Sequence, residues 1–463
     1  MFGISPSKTG TAKLHDVIRI LKELGDDLKS NTLGGEKRRE SLEKLKVYGR
    51  DPSYADPIYT KEGINTLVNQ AFDENTPIAA SREALSCIAN SLLLKTQTRK
   101  YLAETKSWDK LIERLKSPEV HDEFLICRIL FVETYLEKET ISFEDVAKQH
   151  GLANIINDKM IQHESRFSDQ GSSTITNLMA DNALTETAKL IFNTTHFWPA
   201  LIPALTPSIG SLFKILTLSN ERPPLRQPVA QVLNALLNLD AKSPEWSTAA
   251  FPPATPTSVL IKLTNLLSSC LDAYPEAELN TLASPLIALL SKMRSSNIPL
   301  ADTYLRQQLL PSVDDRTQVL GRSKSLASRL LALTTSPAAE TLCDAIGNLI
   351  FELSDSDAEK FVANVGFGYA SGFLVRKGIP LPSAGAGAGA NAGGVPVNPI
   401  TGQRLDAEPV DNLPEMTEEE KEREAERLFV LFERLKRTGV VDVVNPVEAA
   451  IRGRVEELPD DEE

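Results

Sequence analysis

Residues able to do covalent or metal chemistry are sparse and far apart in this sequence. The four cysteines form no Cys-x-x-Cys pair and each lies among apolar residues, so they are predicted to be reduced core thiols. The five histidines are scattered, and His121 directly precedes Asp122 and Glu123, which cannot share one helix face as metal ligands should. We therefore predict no catalytic residue and no metal site. The cysteines are Cys87, Cys127, Cys270 and Cys343.

Glycine-containing motifs do not indicate a nucleotide site either. Gly321-Arg-Ser-Lys-Ser lacks the Gly-Lys core and the first glycine of a phosphate-binding loop. Gly366-Phe-Gly368 resembles the start of a dinucleotide loop, but it follows a predicted helix and Ser371 stands where the third glycine belongs. No cofactor is predicted, and the chain is expected not to be an enzyme.

Basic and amide side chains offer a chemistry of recognition instead. Lys46 and Arg50 are four residues apart, so on a helix they would share one face and suit a ligand that ends in a carboxylate. Asparagine recurs at the end of similar helical segments, where it could bond the backbone of a bound peptide or be an ordinary surface residue. These residues are Asn90, Asn193, Asn234 and Asn348.

Composition limits the possible partners and the compartment. The net charge of −13 argues against a general nucleic-acid binder. The charge is uneven, because residues 398–463 carry 19 acidic and 9 basic side chains while the first fifty residues are net basic. No signal peptide and no apolar run long enough to span a bilayer is evident, so a cytoplasmic protein is expected.

Helical periodicity runs through most of the chain, and strand patterns are nearly absent. Proline and short polar clusters separate the periodic segments, and the asparagine-bearing segments recur near multiples of 40–47 residues, as in armadillo and HEAT units. The predicted fold is all-α, an armadillo/HEAT-like right-handed superhelical solenoid with a tethered C-terminal helix. Its domains would be a repeat domain (1–382), a flexible Ala/Gly linker (383–397) and a C-terminal partner-binding segment (398–463).

One amphipathic helix is predicted over residues 417–438. Thr417 and Glu420 form a capping box, and Gly439 is a typical helix stop. Its apolar stripe includes Leu428, Phe429 and Phe432. The stripe either packs on its own chain or binds a partner. The two interpretations are compatible if the helix moves from its own chain to the partner.

The C-terminal sequence closely resembles the synembryn family, the non-receptor exchange factors and folding chaperones of heterotrimeric G-protein alpha subunits. The resemblance rests on Asn398-Pro-Ile-Thr-Gly402 and on Met416-Thr-Glu-Glu-Glu-Lys-Glu-Arg-Glu-Ala425. Phe361 to Gly372 is similar to the family's end-of-solenoid motif, and weaker blocks begin at Leu45, Ala84 and Cys127. The resemblance thus extends over nearly the whole chain.

The resemblance implies a guanine-nucleotide releasing factor and chaperone that grips the C-terminal helix of the alpha subunit and thereby loosens GDP. By motif, the grip falls on Lys46, Arg50, Asn90 and Arg128, and the asparagine pattern adds Asn234. Lys46 stands where the family leads us to expect arginine, and a lysine keeps the charge but lacks the forked geometry of a bidentate contact. The trailing helix would brace the opened subunit. A monomer that reaches the membrane and the cell cortex only through its partner is expected.

Two other interpretations remain open from the sequence. A general armadillo-type scaffold or transport adaptor would grip an extended peptide, and the asparagine pattern permits it. An enzyme with a site that motifs do not reveal would need a large pocket with converging titratable groups.

Overall fold

The computed structural model describes residues 8–136, 143–169, 177–220, 222–296, 298–382, 391–392 and 395–408, and positions 417, 421, 423, 424, 426, 427 and 430. The chain divides into two compact units, Met1–Ala407 and Glu408–Glu463. The first unit contains the described core, and the body below means its residues 8–382.

Helices account for almost all regular structure in the described residues. Single-turn 3₁₀ helices occupy Asp56–Tyr59, Pro199–Leu201, Asp315–Thr317 and Leu405–Ala407, and two short strands, β1 (Asn391–Ala392) and β2 (Val395–Pro396), pair antiparallel. The α-helices are α1 Gly10–Ser30, α2 Gly35–Tyr48, α3 Lys61–Phe72, α4 Ile78–Leu94, α5 Gln97–Glu104, α6 Trp108–Leu115, α7 Val120–Glu133, α8 Phe143–Gln149, α9 Leu152–Asp169, α10 Leu178–Phe197, α11 Ile202–Leu205, α12 Ser208–Leu218, α13 Val229–Leu237, α14 Pro244–Ala250, α15 Ser258–Ala273, α16 Glu276–Leu282, α17 Ser284–Ser295, α18 Pro299–Leu309, α19 Leu326–Leu333, α20 Glu340–Leu353, α21 Ala358–Val365 and α22 Phe367–Arg376.

Local sequence signals set where many of these helices begin. The hydroxyls of Thr60 and Ser243 accept hydrogen bonds from Gly63 N and Trp246 N, so each residue caps its helix. The Asp357 carboxylate does the same for α21. Proline occupies the first turn of α14, α17 and α18, where its missing N–H costs nothing.

The helices stack in succession, as a solenoid requires. One column runs α2, α4, α7, α10, α13, α17 and α20, each helix packing on the next. Helices α1, α3, α6, α9, α12, α15 and α18 pack beside the column. Starts of column helices are about 40–60 residues apart, as repeat units of this class allow. The prediction of an all-α solenoid is confirmed.

The core is continuous along this stack and takes in all four cysteines. Burial raises the pKa of the Cys270 thiol to about 12, so this thiol stays protonated at neutral pH. Among the described helices, none alone is long and apolar enough to cross a bilayer. One pair of successive segments, Pro199–Leu205 and Ser208–Leu218, is together long and apolar enough, but the two are bent by 72° at the break between them. Leu205, Ile209 and Leu212 of this pair lie in the core.

Residues 395–407 return to the end of the stack and bond to it. Pro399 O and Ile400 O accept hydrogen bonds from the N–H groups of Phe367 and Gly368, at 2.8 and 3.0 Å. The Asn-Pro-Ile-Thr-Gly motif is therefore docked on the first unit. The chain divides after Ala407, so this motif belongs to the first unit and not to the second.

Candidate partner-binding surface

Four predicted site residues lie on the one column of stacked helices. Lys46 is on α2, Asn90 on α4, Arg128 on α7 and Asn234 on α13. All four side chains are half-buried, so each contacts both the stack and the surface. The fold thus places residues up to about 190 positions apart on four members of one column, with α10 between the third and the fourth.

Arg50 departs from the predicted geometry. Helix α2 ends at Tyr48, and Gly49 leaves the helical conformation with φ −74° and ψ 6°. Lys46 and Arg50 therefore do not form a pair on one helix face, and that inference was wrong. Glycine is a poor helix former, and the four-residue spacing alone does not show that α2 ends before Arg50. Arg50 is exposed and makes no ion pair with the described residues.

Lys46 is already paired within the fold. Its ammonium lies 2.5 Å from a Glu83 carboxylate oxygen on α4, and both side chains are about one-fifth exposed. A ligand carboxylate would have to compete with Glu83 for this cation. The free positive charge at this end of the column therefore comes from Arg50 more than from Lys46.

The asparagines differ in what they can offer a ligand. Asn90 makes no side-chain hydrogen bond with the described residues, and the Asn234 amide donates only a long bond (3.3 Å) to Gln231. Asn193 is buried and donates to Thr134 Oγ1 at 2.8 Å, while Asn348 is exposed. Asn193 therefore has no free amide to offer a bound peptide, whereas Asn90 and Asn234 lie half-buried at the surface.

Arg128 has its charge available. Its guanidinium lies 5.5 Å from the centre of the Phe124 ring, four residues earlier on the same face of α7. No carboxylate pairs with it in the described part of the chain, so the guanidinium can bind an acidic group beside the ring.

An aromatic cluster lies on α7, on the turn that follows it and on α10. Phe131 contacts Tyr135 edge-on at 5.5 Å between ring centres, and Tyr135 contacts Phe197 at 5.7 Å. Lys189 lies 4.2 Å from the centre of the Phe131 ring. Tyr135 is 48% exposed and Phe131 is half-buried, so the cluster combines apolar area with a nearby cation.

None of these aromatic residues is among the predicted site residues. A usable signal is present, because Phe124, Phe131 and Tyr135 recur at steps of seven and four and would share one helix face. Such spacing is also typical of core positions, and only the fold shows that Phe124 and Phe131 are half-buried and Tyr135 is exposed.

The predicted brace residues Leu428, Phe429 and Phe432 lie outside the described residues. The described positions between 421 and 430 are helical, in agreement with the predicted helix at those positions. Arg427 lies 3.5 Å from Glu424, and Val430 is 51% exposed.

The chemistry available on the column is recognition. Within the described residues no group of three or more His, Cys, Asp or Glu side chains could hold a metal ion. The surface offers two cations, Arg50 and Arg128, one unbonded amide, Asn90, and exposed aromatic area. Such a set suits a protein segment that carries carboxylates and apolar side chains.

Comparison with known proteins gives matches along the chain. A family model described as guanine nucleotide exchange factor synembryn matches residues 41–453. A Schizosaccharomyces pombe protein named synembryn-like chaperone is 34% identical over 199 residues, which cover 40% of this chain and 37% of that relative. Chaperone Ric-8 of Drosophila melanogaster is 27% identical over 215 residues, 43% of this chain and 37% of that relative. These matches therefore span less than two fifths of those relatives.

A longer match joins the chain to Chaperone Ric-8A of Macaca fascicularis, which is 22% identical over 90% of this chain and 84% of its own length. Among solved structures, an engineered protein is 15% identical with a TM-score of 0.45, over 78% of this chain and 82% of that chain.

Proposed function

The chain belongs to the synembryn family of guanine nucleotide exchange factors, and from this membership we propose that it binds heterotrimeric G-protein alpha subunits, stimulates GDP release and assists their folding. The relatives named as chaperones support the folding role. A cytoplasmic monomer that reaches the cell cortex through its partner is part of the proposal.

The observation that supports the proposal is the single column, which holds Lys46, Asn90, Arg128 and Asn234 and whose helices α7 and α10 also carry aromatic residues of the cluster. A helix that ends a polypeptide chain carries a carboxylate and orphan carbonyls at its end. We place that end near Arg50 and Arg128, whose charges complement it. Asn90 supplies a donor to a free carbonyl, and Phe131 and Tyr135 cover apolar side chains of the same helix.

Exchange requires no covalent step in this proposal. A protein that binds the nucleotide-free alpha subunit more tightly than the loaded one shifts the equilibrium toward GDP release. Holding the terminal helix away from its own domain provides that difference, because only the opened subunit can offer the helix. The same grip would shield an apolar helix in an incompletely folded subunit.

The C-terminal unit supplies the second contact of the proposal. Leu428, Phe429 and Phe432 form the apolar stripe that would brace the opened subunit once its terminal helix is held. Two linked contacts act together when the chain between them permits both, and this raises the overall affinity.

GDP release from purified alpha subunits tests the proposal. We expect the chain to accelerate release from the full-length subunit and to lose most of this effect on a subunit lacking its last residues. An unchanged acceleration on the truncated subunit would refute the terminal-helix grip. No acceleration on either subunit, together with no binding, would refute the function.

A further inference from the structure

Residues 395–407, here called the clasp, are held to the end of the solenoid mainly through backbone atoms. The carbonyls of Pro399 and Ile400 cap the first N–H groups of α22, which no intrahelical partner can satisfy. Thr401 O accepts from Leu320 N at 3.3 Å, and Arg404 N donates to Arg316 O at 2.8 Å. The clasp thus bonds to two separate parts of the body.

Arg316 joins the clasp to the preceding helix. Its side chain is 7% exposed, and its guanidinium donates to Gly402 O at 3.0 Å and to Ala363 O and Asn364 O at the carboxyl end of α21. A buried cation needs such acceptors, because water does not reach it. Loss of the clasp would therefore expose or orphan part of this guanidinium.

The clasp has a fixed shape of its own. Asn398 Oδ1 accepts from the N–H groups of Ile400 and Thr401, and Asn398 N donates to Gln403 O at 2.7 Å. Gly402 has φ +66°, and a Cβ there would lie 2.4 Å from Leu320 Cδ1. Because these bonds lie within the clasp, little conformational entropy is lost when it docks.

Glycines on the body give the clasp room. Gly366 has φ +79°, and a Cβ there would lie 2.8 Å from Ile400 O. A Cβ on Gly368 would lie 3.2 Å from the same oxygen. The two glycines that resembled a dinucleotide loop in the sequence thus allow close approach of the chain's own backbone.

From this complementarity we infer that the clasp is a self-contained docking element that fixes Ala407, the end of the first unit, to the body without help from the Ala/Gly stretch. The clasp should then stay bound to the body even when the chain is cut between residues 383 and 394. The inference concerns the first unit alone and is independent of the proposed function.

Cleavage inside the Ala/Gly stretch tests the inference. A site-specific protease sequence replaces residues 384–390 in the full chain, and the cleaved protein is passed over a size-exclusion column and analysed by native mass spectrometry. We expect the two fragments to remain together in a one-to-one complex. Separation of the fragments at tens of micromolar protein would overturn the inference.

Two glycine variants make the test specific. Gly402→Ala and Gly378→Ala both place a side chain at φ +66°, but a Cβ at Gly378 meets nothing within 4 Å. After cleavage, Gly402→Ala should release the fragment and Gly378→Ala should retain it. Retention in Gly402→Ala, or equal release in both, would contradict docking through the clasp.

Two further proteins separate the clasp from the rest of the chain. Asn398→Ala removes the acceptor that shapes the clasp without altering the body, and it should also release the fragment after cleavage. A chain ending at Ala407, cleaved in the same way, should keep its short fragment. Loss of that fragment would show that residues 408–463 hold the complex together and would overturn the inference.

Discussion

Arg128 is the predicted site residue whose surroundings best suit a bound carboxylate. Its guanidinium lies over the Phe124 ring, and no carboxylate of the described chain neutralises it. Lys46, in contrast, is half-buried against Glu83, so its replacement would also leave Glu83 without its cation. A charge that is available in the free protein gives the clearer test of binding.

Arg128→Ala should reduce acceleration of GDP release about 10-fold, which corresponds to about 1.4 kcal/mol of binding free energy. Lys116→Ala is the matched control, because among the described residues Lys116 pairs with exposed Glu113 alone, and it lies off the column. The measurement is the GDP release rate at subsaturating exchange factor. Equal rates for both variants and the unmodified chain would exclude Arg128 from the site.

Glu133, at the end of α7, predicts a pH dependence of stability. Its carboxyl accepts a hydrogen bond from Trp108 Nε1 at 3.0 Å, and its other oxygen is unbonded among the described residues. Burial raises the pKa of Glu133 to about 8, opposed by the Trp108 bond and the charge of Arg99. The folded state then holds a proton that the unfolded state releases near pH 4.5, so stability falls as pH rises from about 4.5 to 8.

Glu133→Gln should remove this decline. The change that it makes in the free energy of unfolding should be about 1–3 kcal/mol more favourable at pH 8 than at pH 4.5. Urea unfolding at the two pH values provides the measurement. Glu113→Gln, at an exposed position on α6, is the control and should leave the pH dependence unchanged. Parallel curves for the unmodified chain and Glu133→Gln would show that the carboxyl ionises normally.

At the scale of elements, Gly63 fixes how α3 meets the turn before it. A Cβ on Gly63 would lie 2.2 Å from Pro57 O and 2.8 Å from Ile58 O, both in the single 3₁₀ turn. The backbone there cannot yield without moving the Asp56–Tyr59 turn, whose Ile58 and Tyr59 are buried. The close approach at Gly63 therefore fixes the position of α3 against the Asp56–Tyr59 turn.

Gly63→Ala should therefore destabilise the protein by about 2–4 kcal/mol, although alanine is the better helix former. Gly210→Ala, in α12, has nothing within 4 Å of its Cβ and should be neutral or stabilising by up to about 1 kcal/mol. Thermal unfolding of the two variants side by side decides between them. A stabilised Gly63→Ala protein would mean that the 3₁₀ turn adjusts easily.

The sequence predicts that the fold is made of stacked helices. It does not predict where α2 ends or where residues Asn398–Gly402 bind to the rest of the chain. Three- and four-residue apolar steps revealed the helices, and the repeat spacing revealed the stacking. The end of α2 before Arg50 does not follow from the four-residue spacing of Lys46 and Arg50, because that spacing puts two residues on one face only if the helix continues through both. The docking of Asn398–Gly402 on Gly366 and Gly368 could not be inferred, because glycines that admit a ligand and glycines that admit the chain itself look alike in sequence.

At the scale of the whole molecule, the division after Ala407 determines which deletion is informative. Removing residues 403–463 would take Gln403 and Arg404 from the clasp, so a loss of activity could reflect a damaged solenoid end. Gln403 is buried and donates to Thr317 O, and Arg404 N donates to Arg316 O. A chain ending at Ala407 keeps both contacts.

The chain 1–407 should keep the thermal stability of the solenoid but lose most of its acceleration of GDP release, because the apolar stripe containing Phe429 and Phe432 is gone. The chain 1–394 also lacks the clasp, so Arg316 and the start of α22 lose hydrogen-bond partners. Its free energy of unfolding should be about 2–4 kcal/mol lower than that of the chain 1–407, as is usual when a buried hydrogen-bond network is broken. Differential scanning calorimetry and the GDP release assay on the same preparations separate the two effects. Full exchange activity in the chain 1–407 would show that the column alone opens the alpha subunit, and the brace would have to be abandoned.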